Sequence, residues 1–225
     1  MTSTYWIFVG LTLALTGFLG YATFATARLL QTWRPDRNLM LLPGENLLRL
    51  GMIGACWGLG RLSGLGAGAL GWRSQGWPIQ VVGGVGIGLG VAAVFVTATR
   101  WLVQRTGHRF YSDQIIDLIV PASGRELAWV AAALVPAVLL EELLFRSLLL
   151  GGLAPVLPVT WLLLGFGVIF GLLHSPQGAW GMAGAGLAGI LFGLLFLWQG
   201  SLILPVVAHY VANLAQIVVA MGRRI

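Results

Sequence analysis

The chain has 225 residues, 58% of them hydrophobic and only 9% charged, with a mean hydropathy of +0.89. That balance excludes a soluble domain and a disordered one, and predicts an all-α polytopic membrane protein, a transmembrane helix bundle. The net charge of +6 is carried by arginines with no lysine, which excludes P-loop nucleotide binding and Schiff-base chemistry.

The arginines fall mostly at the ends of apolar runs, where they read as topology signals and not as a nucleic-acid surface. Tyr5 to Leu30 is long enough to span a bilayer, which needs ~20 helical residues. Ala25-Thr26-Ala27 resembles a signal-peptidase site, but Met1 to Thr4 lacks the basic n-region, so an anchored first helix is expected. Gln31 to Glu45 is a polar connection containing Arg34, Pro35, Asp36, Arg37 and Pro43. Leu47 to Leu70 is weakly apolar, with seven glycines and with Arg49 and Arg61, and reads either as a span or as an interfacial segment. Its Cys56 is the single cysteine, which excludes an internal disulfide and a cysteine-rich metal site.

Trp72, Arg73 and Trp77 form a predicted interfacial belt. Ile79 to Val103 is a clear span. Its glycine run from Gly83 to Gly90 lacks the strand and the Lys of a phosphate loop. The pairs 84/88 and 86/90 instead fit the small-xxx-small spacing of closely packed membrane helices. Arg100 to Glu126, with His108 and Asp113, is the most polar region and reads as an interfacial segment with a turn.

Four apolar segments with short turns follow: Leu127 to Leu153, Val156 to His174, Ala179 to Trp198 and Leu202 to Met221. In the third, Gly181, Ala185, Gly189 and Gly193 make a stripe of small residues. The division expected is 1–126 as N-terminal membrane helices with an interfacial segment, and 127–222 as the bundle carrying chemistry. Seven spans place the Arg28–Arg49 loop, the Arg100–Arg125 loop and Arg223-Arg224 on one side. The positive-inside rule makes that side cytoplasmic, with the N-terminus outside, in a bacterial-type inner membrane.

Between Leu127 and Gly222 the only acidic or basic residues besides histidine are Glu141, Glu142 and Arg146. Each costs at least ~2.5–3.5 kcal/mol at mid-bilayer, so they must face protein or water. Glu142 and Arg146 are four apart and can pair on one helix face. Glu141 points about 100° away and needs a partner from elsewhere. His174 with Phe170, and His209 with Asn213, are likewise spaced by four on two further helices. Two histidines and a carboxylate are a catalytic zinc set. The same groups also work without metal, with Glu141 as general base, His174 sharing its proton, and His209 with Asn213 facing the oxyanion. Helical rise sets Glu141 ~10 Å and His209 ~18 Å from the cytoplasmic ends of their spans, so convergence requires tilt or a segment that runs past Pro176.

Glu141-Glu142-x-x-x-Arg146, Phe170-x-x-x-His174 and His209-x-x-x-Asn213, in that order on successive helices, resemble the three motifs of the CPBP family. These are the CAAX proteases and bacteriocin-processing enzymes, often called Abi proteins, which include the type II prenyl-protein endopeptidases. The resemblance covers about Leu127 to Met221. It implies an intramembrane (metallo)endopeptidase of all-helical fold whose site opens to the cytoplasmic side. Glu141 would activate water with His174, while His209 and Asn213 would act as oxyanion donors or, with Zn bound, as part of a ligand set of Glu141, His174 and His209. Glu142, Arg146 and Phe170 would be supporting residues. The implied substrate is a hydrophobic or lipidated peptide at the lipid bilayer. Two other classes compete: a non-catalytic scaffold or bacteriocin-immunity protein of the same fold, and a proton or metal transporter, disfavoured by the lack of an inverted repeat.

Overall fold

The computed structural model describes residues 1–33, 35–112 and 114–222. Arg34, Asp113, Arg223 and Arg224, which entered the reading of polar segments and topology, lie outside the described residues. Among those described, the regular structure is helical. In chain order the helices are α1 (Ser3–Thr32), α2 (Pro43–Leu62), α3 (Trp77–Thr106), α4 (Gln114–Ile119), α5 (Gly124–Glu142), α6 (Val159–Leu172), α7 (Gly178–Gln199) and α8 (Ile203–Met221).

Local chemistry sets the boundaries. The α1 start is capped by Thr2, whose hydroxyl accepts from the Tyr5 amide. At α5 the Ser123 hydroxyl accepts from the Glu126 amide of the first turn, and the Glu126 carboxylate accepts at 2.8 Å from the Ala122 amide just before the cap. Gly200, at φ +60°, ends α7 in the left-handed conformation that glycine takes without strain.

α1, α3, α5 with its continuation, α7 and α8 are long and apolar enough to cross a membrane. The chain is an integral membrane protein, and residues such as Ile79, Val82, Val94, Trp161, Leu187 and Trp198 turn outward as a lipid-facing surface. The expected seven spans are not reached on length and composition alone. α6 has 14 residues, about 21 Å of helix against a hydrocarbon core of roughly 30 Å. α2 ends at Leu62, and the glycine-rich remainder of the 47–70 run is loop, with Gly64 and Gly71 at φ near +70°. This loop tucks inward and buries Leu70, while Trp72, expected in an interfacial belt, lies half-buried against the core.

That loop closes one end of the bundle. The Ser147 hydroxyl donates to the Leu70 carbonyl at 2.7 Å, the Leu202 amide to the Gly71 carbonyl at 3.0 Å, and the Tyr5 hydroxyl to the Gly152 carbonyl at 2.9 Å. The opposite end is knitted by the Ser112 amide on the Gln177 carbonyl and the Trp180 amide on the Phe110 carbonyl. The polar region around His108 is thus the end of α3, a tight helical turn at Gly107–Arg109 and short α4.

Small residues seat two helix pairs. Along α3, a Cβ on Gly88 would stand 2.5 Å from the Ala208 carbonyl oxygen, and one on Gly84 would stand 2.7 Å from Val207 Cβ. Gly86 and Gly90 face open space, so only half of the predicted glycine spacing is a contact. Between α6 and α7, Gly171 lies against the backbone at Met182 and Gly186, and Gly189 against Phe170 and Gly167. Of the predicted stripe on α7, Gly189 and Gly193 lie in a packing seam, Gly193 against Leu163, whereas Gly181 meets only Gln177 just before its own helix.

One departure from the expected geometry matters for the site. After Glu142 the helix does not continue in α form. Leu143–Gly151 is a π-helical segment, and all nine of its residues are buried. Such wide turns are rare and concentrate at functional sites. Here Arg146 and Ser147 both reach out of the segment to backbone carbonyls of other elements, Gly189 and Leu70.

Candidate active site

Depth along the helices explains why the motif residues meet. Measured from the closed end, His209 lies six residues into α8, about 9 Å. Glu142 lies nine residues before Gly151, about 13 Å at the ordinary helical rise and less where the π turns widen. The two levels lie within a turn of each other, and the residues meet, with His209 Nδ1 2.7 Å from Glu142 Oε1.

The centre of the site is the His209 imidazole, which is 4% exposed. Its Nδ1 lies 2.7 Å from Glu142 Oε1. A carboxylate only accepts, so Nδ1 carries the proton and donates. The other ring nitrogen, Nε2, faces Glu141 Oε2 at 3.6 Å. One histidine is thus flanked by two consecutive glutamates. Their surroundings differ sharply: the Glu142 side chain is fully buried, and that of Glu141 is 31% exposed.

Arg146 completes the buried half. Its Nη1 is 3.0 Å from Glu142 Oε1, the pair expected from the spacing, and its Nη2 donates to the Gly189 carbonyl at 3.1 Å. No N–H of Nη1 is aligned on an acceptor, and Glu142 Oε2 has no donor, so this contact works through charge more than through directed hydrogen bonds. The guanidinium also lies over the rings of Phe170, at 4.9 Å, and Phe192, at 5.5 Å.

His174 stands just past the end of α6. Its Nδ1 donates to the Phe170 carbonyl at 2.8 Å, which leaves Nε2 with the free lone pair. The Phe170 ring spans the interval between the histidines, 4.8 Å from His174 and 6.0 Å from His209 between centroids. Among the described residues His174 has no ion pair or hydrogen bond to Glu141 or His209. Asn213, one turn beyond His209, is half-buried, and its side chain has no hydrogen bond among those residues.

Residues 123–215 match the family model described as type II CAAX prenyl endopeptidase Rce1-like. This segment is similar to that family. No curated protein and no solved structure gives a significant match. The Rce1-like segment begins at the Ser123 cap of α5, ends within α8, and contains every motif residue from Glu141 to Asn213. The match agrees with the resemblance drawn from the three motifs. Helices α1 to α4 lie outside it.

A zinc centre made of Glu141, His174 and His209 does not fit this arrangement. Among the described residues no three His, Cys, Asp or Glu side chains gather closely enough to share a metal ion. Glu141 and His209 make a two-donor pair only.

Two contributions were not legible in the three sequence motifs. Glu142 was expected to serve Arg146, and it also holds His209. α7 carries no motif, yet it supplies the Gly189 carbonyl to Arg146 and the Phe192 ring that stacks on His209 at 4.9 Å and 24°. The available signal was the small-residue stripe: Phe192 follows Gly189 by three positions and so shares its face.

Proposed function

We propose that the chain is an intramembrane endopeptidase that hydrolyses a peptide bond of a membrane-associated, lipidated peptide by a water that Glu141 activates. The observation that carries this reading is the split between the two glutamates. Glu142 is buried, ion-paired and bonded to His209, whereas Glu141 is partly exposed and faces the other nitrogen of the same ring. A separation of 3.6 Å is long for a direct hydrogen bond and suits a water touching both atoms.

In this cycle Glu141 takes a proton from the water as its oxygen attacks the substrate carbonyl. Protonated His209, held by Glu142 at Nδ1, presents Nε2–H to the developing oxyanion, and the Asn213 amide adds a second donor. Glu141, Glu142, Arg146 and protonated His209 sum to zero formal charge, which suits a site inside a bilayer. On collapse of the intermediate the peptide C–N bond breaks and the proton held by Glu141 passes to the leaving nitrogen. His174, with Nε2 unencumbered, relays that proton at the edge of the site. The family description supports a prenylated substrate, because it names CAAX prenyl endopeptidases.

The test is cleavage of prenylated and plain CAAX-like peptides by purified protein and by Glu141→Gln, each with and without a zinc chelator. The expected result is cleavage of the prenylated peptide, a loss of about a thousandfold in Glu141→Gln, and no effect of the chelator. Unchanged cleavage by a monodisperse Glu141→Gln protein would overturn the assignment of the base. Cleavage abolished by the chelator and restored by zinc would overturn the metal-free route.

A further inference from the structure

We infer that Phe192 on α7 is a positioning residue, whose ring fixes the plane of the His209 imidazole so that Nδ1 meets Glu142 while Nε2 meets the water site beside Glu141. The Phe192 ring is 1% exposed and stacks on the imidazole at 4.9 Å with planes 24° apart. A hydrogen bond at Nδ1 alone leaves an imidazole free to rock about that bond, and rocking would swing Nε2 across the gap to Glu141. A flat ring against its face removes that freedom, and the edge of Phe170 at 77° limits the other direction.

Phe192 is itself held on several sides. Leu195, Leu204 and Ala208 surround it in one core cluster, and the Arg146 guanidinium lies 5.5 Å from its ring. Arg146 is anchored in turn to Gly189, one turn back on the same helix. The aromatic ring therefore joins the base of the ion pair to the working histidine. The charged groups around this ring are Glu141, Glu142 and Arg146. α6 and α7 contain no acidic or basic residue, and α8 has none besides His209 and Tyr210, whose hydroxyl donates to the Ala131 carbonyl.

The catalytic consequence rests on the peptidase reading above, whereas the ring geometry does not, and the experiment separates the two. In wild-type protein with ¹⁵N- and ¹³C-labelled histidine, purified in detergent and assigned with His209→Gln, the His209 ring protons are expected upfield from stacking, with Nδ1 in a single protonated state. Absence of that upfield shift in folded wild type overturns the inference whatever any variant does. In Phe192→Leu the Nδ1 signal is expected to broaden or split as the ring rocks away from its single bonded geometry. With the prenylated peptide, kcat should fall roughly ten- to a hundredfold at nearly constant KM. Phe8→Leu, a buried aromatic at the closed end, serves as the control that lowers stability without moving the His209 signals. Phe192→Leu signals identical to wild type would make Phe192 an ordinary core residue. Altered signals in a protein that cleaves no peptide would retain the positioning role and count against the peptidase.

Discussion

Glu142 and His209, 67 residues apart in sequence, share a hydrogen bond of 2.7 Å in the interior of the bundle. The same carboxylate oxygen also faces Arg146 at 3.0 Å. Glu142 is therefore the joint between a structural ion pair and a chemically active ring, and substitutions around it separate the two roles.

Replacing Glu142 by Gln strands the Arg146 guanidinium as a buried charge without a counter-ion. Breaking a buried pair in this way typically costs about 3–5 kcal/mol, so Glu142→Gln should lower the unfolding temperature in detergent markedly. Removing both charges, as in Glu142→Leu with Arg146→Leu, should recover most of that loss. The double variant should still be inactive, because His209 Nδ1 then has no acceptor. Thermal unfolding of the two variants beside wild type checks the first part, and peptide cleavage by the double variant checks the second.

Much of the site was legible because charge is expensive inside a membrane. Three charges in six residues marked the helix, and spacing by four paired Glu142 with Arg146, as found. The bond from Glu142 to His209 was hidden because nothing local encodes it: it depends on α8 lying against α5 at a matched depth. The π segment was hidden for a related reason. Leu143–Gly151 reads as uninterrupted apolar helix, and its widened turns are accompanied by outward bonds of Arg146 and Ser147 to carbonyls that only the folded bundle supplies. Leu47 to Leu70 was ambiguous because its glycines serve two ends. Gly60 leaves room for Trp72, while Gly64 and Gly71 turn the backbone.

Ser147 tests the closed end independently of the chemistry. Its hydroxyl is fully buried and bonded to the Leu70 carbonyl. Ser147→Ala leaves that carbonyl without this donor, at a cost of about 1–3 kcal/mol. The variant should unfold at lower temperature, and the cleavage rate per folded molecule should stay within a few-fold of wild type. A collapse of activity at wild-type stability would mean that the loop reaches the chemistry by a route other than packing.

Gly88 tests the seating of α8. A side chain there meets the Ala208 carbonyl oxygen, the residue preceding His209. Gly88→Val must push α8 away from α3, and overpacking of this kind costs typically about 1–3 kcal/mol. Because the displaced backbone carries His209, activity should fall further than stability alone explains. Gly86→Val, on the same helix but facing open space, should be nearly silent in both assays.

Asn213 supplies the sharpest separation of folding from function. Its side chain is half-buried and has no hydrogen bond among the described residues, although it follows His209 by one turn on the same face. A group without a partner in the resting structure contributes little to stability, so Asn213→Ala should unfold at nearly the wild-type temperature. If the amide donates only to the oxyanion formed during attack, its loss appears in the rate. Removing one such donor costs about a hundred- to a thousandfold in kcat, with little change in KM. Asn213→Asp should be as damaging, because it sets an acceptor where the oxyanion needs a donor. Cleavage of the prenylated peptide at near wild-type rate by Asn213→Ala would remove Asn213 from the oxyanion site and leave His209 to serve it alone.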